Sequence, residues 1–222
     1  MSSFKTIDIE ILKQVDRQLI DRYSNRYHQF GVDPRTLGWD KTSSQETRFA
    51  VAVNSIDFSN KTILDIGCGF ADFYGFLDRQ FGVEQHLYTG FDINPDLIEE
   101  CQKKYPQSDF DRVNILIDAP NDRTWDIVTL FGILNFRFQD FENLDFAKST
   151  IEKAFELCTE ALVVDMLSTK FDRSYPPEDF VYYYNPLEML DFALNLTPHV
   201  ILRHDYASIP QREFMLILRK EP

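Results

Sequence analysis

From Thr62 onward, apolar runs of strand length alternate with stretches of helical periodicity, and few folds accept that order. Strand-like runs stand at Thr62–Ile66, His86–Phe91, Val113–Ile117, Trp125–Phe131 and Ala161–Leu167. Between them the spacing predicts helices at 71–80, 95–104 and 143–157. Pro95 suits a first helical position, where its missing N–H would go unpaired anyway. A helix from about Pro186 to Leu196 and two strands, His199–His204 and Arg212–Arg219, finish the chain. Such alternation predicts an α/β fold with a doubly wound, Rossmann-like parallel sheet covered on both faces. Its ligands are expected at the carboxyl ends of the strands.

Ahead of this core, residues 6–24 space Ile7, Ile11, Leu12, Val15, Leu19 and Ile20 as on one helix face. The following "YSNRYHQFGVDPRTLGW" reads as loop at Gly31, Asp33-Pro34 and Gly38. A second helix is expected from Ser43 and Ser44, ahead of Glu46, to about Ile56. The chain thus divides into an N-terminal helical extension, 1–56, expected to act as a lid, and a sheet domain, 57–222.

The 222 residues carry a formal charge of -13 with dispersed Lys and Arg. Such a surface repels phosphate backbones and anionic lipid, so the expected partner is a small molecule, with neither nucleic acid nor membrane. Cys68, Cys101 and Cys158 are odd in number and far apart, which disfavours a disulfide framework and a zinc site. "MSSFKTIDIEILKQVDRQ" is charged throughout and no apolar run approaches the roughly 20 residues of a membrane span, so the expected location is cytoplasmic.

The turn in "ILDIGCGFADF" follows the first strand of that core. Gly67 and Gly69 bracket Cys68 there and let a ligand approach the backbone closely. Asp65, two residues ahead of the turn, favours a cationic or hydroxyl-bearing ligand over a diphosphate. Position 72, where a dinucleotide fingerprint would want a glycine, is Asp72. A bare strand–helix corner is the alternative. Asp92, ending "HLYTGFD", stands where an acid can take both ribose hydroxyls, and Asp118, after "NILI", where an acid can meet an adenine amino group.

With these acids in place, the chain resembles the class I S-adenosylmethionine-dependent methyltransferases from about Lys61 to its end. "ILDIGCGFADF" and "YTGFDINPDLIEEC" carry the resemblance most specifically. It implies a methyltransferase sheet, mostly parallel with an antiparallel C-terminal strand, and S-adenosylmethionine as cofactor. The cofactor contacts it implies are Asp65, Gly67, Cys68, Gly69, Asp92, Ile93, Asp118 and Phe131. Ala71 departs from the family, many members of which carry a third glycine there. The reaction implied is in-line methyl transfer to an oxygen or nitrogen. A non-catalytic cofactor-binding protein and methylation of a protein side chain are the rival readings.

The acceptor side is less constrained. "TLFGILNF" ends the fourth strand with Phe131-Gly132-Ile133-Leu134-Asn135, not the Asn/Asp-Pro-Pro-aromatic motif of nucleic-acid amino-methylating members. Asn135 is read as a substrate ligand and catalytic residue, or else as the cap of the next turn. "SYPPEDF" resembles that motif but follows the fifth strand and reads as rigid loop. Tyr23, Tyr27, His28 and Trp39 cluster in the extension, where Tyr27 and Trp39 would face substrate and His28 would serve as base; a docking patch is the alternative. In "DFVYYYNP", alternation sends Tyr182 and Tyr184 one way, toward the pocket, and Tyr183 the other. No metal is expected: Asp140, Glu142 and Asp165 show no ligand spacing and read as surface charge. His28, His86, His199 and His204 show no pairing either.

Overall fold

A computed structural model describes residues 7–39, 42–82, 84, 87–118, 120, 122–139, 141–170, 177–207, 209 and 212–222. His86, Asp140 and Ser174 to Pro176 of "SYPPEDF" lie outside the described residues. In chain order the elements are α1 (Ile9–Phe30), a 3-10 turn (Pro34–Leu37), α2 (Thr42–Val53), β1 (Ile63–Ile66), α3 (Asp72–Phe81) and β2 (Tyr88–Asp92). Then come α4 (Pro95–Lys104), β3 (Asp109–Arg112), α5 (Ile115–Asp118), β4 (Trp125–Leu130) and α6 (Asn143–Leu157). β5 (Cys158–Leu167), α7 (Pro186–Leu196), β6 (Val200–Arg203) and β7 (Glu213–Arg219) complete the chain.

The strands form one seven-stranded sheet in the order β3-β2-β1-β4-β5-β7-β6. β1 pairs in parallel with β2 and β4, and β7 lies antiparallel between β5 and β6. Alternation along the strands gives the sheet its two apolar faces. Ile63, Ile127, Val163 and Ile217 meet Phe49 and Ala52 of α2 with Phe73 and Leu77 of α3 on one face. Leu64, Val128, Leu162 and Leu216 meet Ala147 and Ile151 of α6 with Met189 and Phe192 of α7 on the other. The chain reverses its strand order between β1 and β4, so their carboxyl ends open a crevice there.

Capping chemistry sets the clearest boundaries. Asn94 accepts from the Asp96 and Leu97 N–H groups and Asn185 from Leu187 N–H, each just ahead of a proline at the first helical position. Two expectations are corrected. The third strand is Asp109–Arg112, in which Phe110 alone is buried, whereas the apolar stretch read as strand supplies a turn and the short α5. α1 runs on to Phe30, capped by Gly31 at φ 66°, so Tyr23, Tyr27 and His28 belong to a helix and not to a loop.

Candidate active site

A single cavity at the switch point gathers the carboxyl ends of β1, β2 and β4 with residues of α1, α2 and α3. On the sheet side it is lined by Asp65, Gly67, Cys68, Gly69, Asp92, Ile93, Phe131 and Gly132. The turn after β1 is tied to β2: Gly67 and Cys68 N–H groups donate to Phe91 O at 2.7 and 3.0 Å, and Gly69 N–H donates to Asp92 Oδ2 at 3.1 Å. Gly67 has φ 73°, and a Cβ there would lie 2.1 Å from Ile133 Cγ2, so only glycine fits the bend. Ala71 adopts the left-handed conformation at φ 55° that a glycine would take freely, at a cost of about 1 kcal/mol.

Two carboxylates sit deep in this wall. Asp65 accepts from the Tyr88 hydroxyl and the Thr129 hydroxyl, both at 2.6 Å. Burial pushes its carboxyl up to about 6 against those two hydrogen bonds, and Asp92 and Asp72 push the same way. Asp92 accepts from Asn94 N–H at 2.9 Å as well as from Gly69, and burial likewise pushes it up to about 6.

The N-terminal helices close the cavity from above. Asp16, Leu19 and Tyr23 of α1 line it, as do Gln45, Arg48 and Phe49 of α2 and Trp39 between them. α1 is held down by Asn114 Nδ2 donating to Asp16 Oδ1 at 2.7 Å, by Ser24 Oγ donating to Asp96 Oδ2 at 2.6 Å and by Tyr27 OH donating to Glu100 Oε1 at 3.0 Å. Gln45 Nε2 donates to Asp72 Oδ2 over 3.4 Å, and its buried Oε1 has no partner among the described residues.

Behind the Phe131–Gly132 side of the cavity lies a buried ion triad. Arg48 Nε is 3.0 Å from Asp165 Oδ2 and Nη2 contacts Glu213 Oε1, with all three side chains at most 1% exposed. The guanidinium also stacks over Trp39, 4.1 Å from the ring centre. Asp165 Oδ1 accepts Gly132 N–H at 2.7 Å, so the triad fixes the loop after β4. A Cβ on Gly132 would meet Trp39 Cζ2 at 2.9 Å. Burial raises the Asp165 carboxyl although Arg48 opposes the shift. Asp165 is thus a core residue, correcting its reading as surface charge. No group of three His, Cys, Asp or Glu side chains is placed to hold a metal among the described residues.

Several residues expected at the site stand elsewhere. Asp118 closes α5, exposed, and is not in the cavity wall; Asn114 and Leu116 take that side. His28 is exposed on α1, outside the lining. Asn135 Oδ1 accepts Leu167 N–H at 3.0 Å and its carbonyl accepts Tyr182 N–H, so it joins two loops. Tyr184 is 1% exposed and donates to Leu134 O at 2.8 Å, while Tyr182 packs on it edge to face at 4.8 Å. Tyr27, spent on Glu100, lies outside the lining too; of the expected acceptor residues, Trp39 alone lines the cavity.

Residues 63–149 match the model of a methyltransferase domain. No curated protein sequence matches the chain. Among solved structures, magnesium protoporphyrin IX methyltransferase (ChlM) of Synechocystis PCC 6803 with bound S-adenosylhomocysteine is 14% identical, with a TM-score of 0.62 over 91% of this chain and 98% of that one. The N-methyltransferase NodS of Bradyrhizobium japonicum WM9, also with S-adenosylhomocysteine, is 13% identical, with a TM-score of 0.62 over 90% and 99%. The small RNA methyltransferase HEN1 is 19% identical at a TM-score of 0.61, over 80% of this chain and 25% of that one. The glycine bend that a Cβ would fill and the half-buried Asp92 beside it fit a ligand with ribose hydroxyls, as S-adenosylmethionine has. Residues 63–149 thus carry a match to a methyltransferase domain, and the chain shares its fold with S-adenosylmethionine-dependent methyltransferases.

Proposed function

We propose that the chain methylates an oxygen or nitrogen of a small molecule by in-line displacement. The observation that carries this reading is the roof over the crevice: Leu19 and Tyr23 of α1, Trp39, and Gln45 and Phe49 of α2 line the same cavity as the glycine turn. A roof of that kind suits an acceptor small enough to be enclosed, and the charge of -13 disfavours a nucleic acid.

S-adenosylmethionine, when bound, supplies an activated methyl group on a good leaving group. The chain's own residues position and desolvate. In this reading Asp92 binds the ribose hydroxyls, the Gly67–Gly69 turn passes close to the amino-acid end, and Asn114 takes the adenine side in place of Asp118. Asp65 supports the turn through Tyr88 and Thr129, and Cys68 and Ile93 complete the wall. Phe131 and Gly132, fixed by Asp165, border the acceptor end, and Phe49, Phe131 and Trp39 exclude water there. α1 is the part of the 1–56 extension that acts as cover, while α2 belongs to the core. With His28 on the outer surface, alignment and desolvation carry the reaction.

The test is to incubate the protein with methyl-labelled S-adenosylmethionine and, in parallel, a small-metabolite extract, a mixed protein fraction and total RNA. Label appearing in the metabolite fraction, with S-adenosylhomocysteine in equal amount, is the expected result. Label confined to the protein or RNA fraction overturns the acceptor class.

A further inference from the structure

Where α1 meets the loops after β4 and β5, Arg22 stands one helical turn beyond Leu19 and next to Tyr23, both in the cavity lining. Its guanidinium lies over the ring of Phe136 at 5.2 Å and over that of Phe180 at 5.6 Å. Ring stacking occupies the flat faces of a guanidinium and leaves its in-plane N–H fork free. No carboxylate or carbonyl accepts from that fork among the described residues. By contrast, Arg48 and Arg203 meet carboxylates, and Arg26 donates to the carbonyls of Arg35 and Thr36. In a chain with 36 acidic side chains against 23 Lys and Arg, a half-buried arginine left without an acid is an exception. Burial raises the Tyr23 hydroxyl, and Arg22 and Asp92 act on it with opposite signs, so guanidinium and cavity floor both lie within its reach. Phe136 packs edge-on against Phe138 at 5.4 Å, and Phe138 against Phe146, itself in the cavity lining, at 5.2 Å. An aromatic wall therefore runs from the cavity to Arg22.

We infer, on the reading of the cavity as a methyl-transfer site, that Arg22 anchors an anionic oxygen group of the acceptor, a flat acid whose body lies along the Phe146–Phe136 wall. The free fork can bind two oxygens of a carboxylate or phosphate at once. The two rings shield that pair from water, which strengthens it. Phe180 is 51% exposed, so the stack opens to solvent and an incoming anion reaches the fork without disturbing the core. The anchored charge is not the atom that is methylated. The acceptor's reacting oxygen or nitrogen points into the cavity, its anion stays with Arg22, and the product keeps its negative charge. On a chain of net charge -13 an anion finds few other places to settle, so Arg22 also decides which end of the acceptor enters.

Probes of one shape separate charge from packing: naphthoate, naphthyl phosphate and the neutral naphthamide, titrated by calorimetry into protein saturated with S-adenosylhomocysteine. At least one anion should bind about tenfold or more tighter than the amide, the worth of a hydrogen bond to a charged group, and the tighter anion names the group. In Arg22→Met that preference should fall below about threefold, while S-adenosylhomocysteine affinity stays within about twofold of wild type. Arg22→Lys, which keeps the charge without the fork, should retain an intermediate preference. Thermal melts check the fold of both variants. The amide bound as tightly as the anions, a preference untouched by Arg22→Met, or no binding of any probe overturns the anchor and leaves the methyl-transfer reading standing. Anions held through Arg22, with no label reaching the metabolite fraction of the transfer assay, overturn that reading and the acceptor role with it. If Arg22→Met fails to fold, the wild-type preference and Arg22→Lys decide.

Discussion

Replacing Arg48 by methionine keeps most of the side chain's length and apolar stem while deleting the charge that two buried carboxylates face. Asp165 and Glu213 are each 0% exposed at the side chain, and Arg48 is 1% exposed. Asp165 retains the Gly132 N–H, which answers part of its charge. Breaking one buried pair costs about 3–5 kcal/mol, a large share of the roughly 5–15 kcal/mol that holds a domain together. With a urea m-value of about 2 kcal/mol/M, the unfolding midpoint should fall by about 2 M. The signal is Trp39 and Trp125 fluorescence, and Trp39 will also report loss of the guanidinium stacked on it. Neutralising the triad as Arg48→Met, Asp165→Asn and Glu213→Gln should restore most of the loss, since no charge is then stranded. The Arg48→Met penalty should also shrink as pH falls, because Asp165, already raised by burial, takes up a proton more readily once its countercharge is gone. A shift below about 0.5 M for Arg48→Met would refute the view that the triad holds α2 against the sheet.

Asp92→Ala should weaken S-adenosylhomocysteine binding by about 1.5–3 kcal/mol, read by calorimetry, and an unchanged affinity in a folded protein removes Asp92 from the ribose role. Gly67→Ala should leave the circular dichroism intact but lower that affinity at least about tenfold, because the new methyl meets Ile133; Ile133→Ala on the same chain should recover part of it, and full binding by the single variant would show that the bend tolerates a side chain. Asp65 and Asp92 stand at about 6 in the fold against 3.8 in a free chain, so their contribution to stability is full below about 3.8 and is lost as pH rises through about 6. The ligand-free protein should therefore gain about 1.4 kcal/mol per group between about pH 7.5 and pH 5, seen as a higher melting temperature, and a flat or falling melting temperature over that window contradicts the assignment.

The carboxyl edge of the sheet was legible where local chemistry and periodicity agreed. The Asn-Pro pairs at 94–95 and 185–186 mark α4 and α7 through their caps, and the turn at Gly67–Gly69 announces itself by glycine. β3 was not legible: "DFDR" offers one apolar residue because it is an edge strand, and the neighbouring "VNILI" has the stronger strand composition yet forms a turn and most of α5. That misplacement carried Asp118 with it and hid Asn114, whose Oδ1 accepts Leu116 N–H at the start of α5. His28 and Tyr27 were drawn to the site by their company in sequence, but the helix turns His28 outward and commits Tyr27 to Glu100. Arg48 gave no local signal, since its partners lie on β5 and β7 and only the tertiary fold brings them under α2.

The place of β7 has a consequence for synthesis on the ribosome. The seventh strand in chain order inserts between β5 and β6, and its first residue, Glu213, meets Arg48 of the much earlier α2. Contacts of such long sequence separation form late, because closing the intervening loop costs entropy before any contact repays it. While the chain is still growing, Arg48 lacks Glu213, β5 lacks its antiparallel neighbour and the edge of the nascent sheet remains open to other strands. Emergence of β7 is then the event that seals the sheet and anchors α2 beneath the cavity. Loss of β7 would take Glu213 from Arg48 and so reach the cavity from its far side.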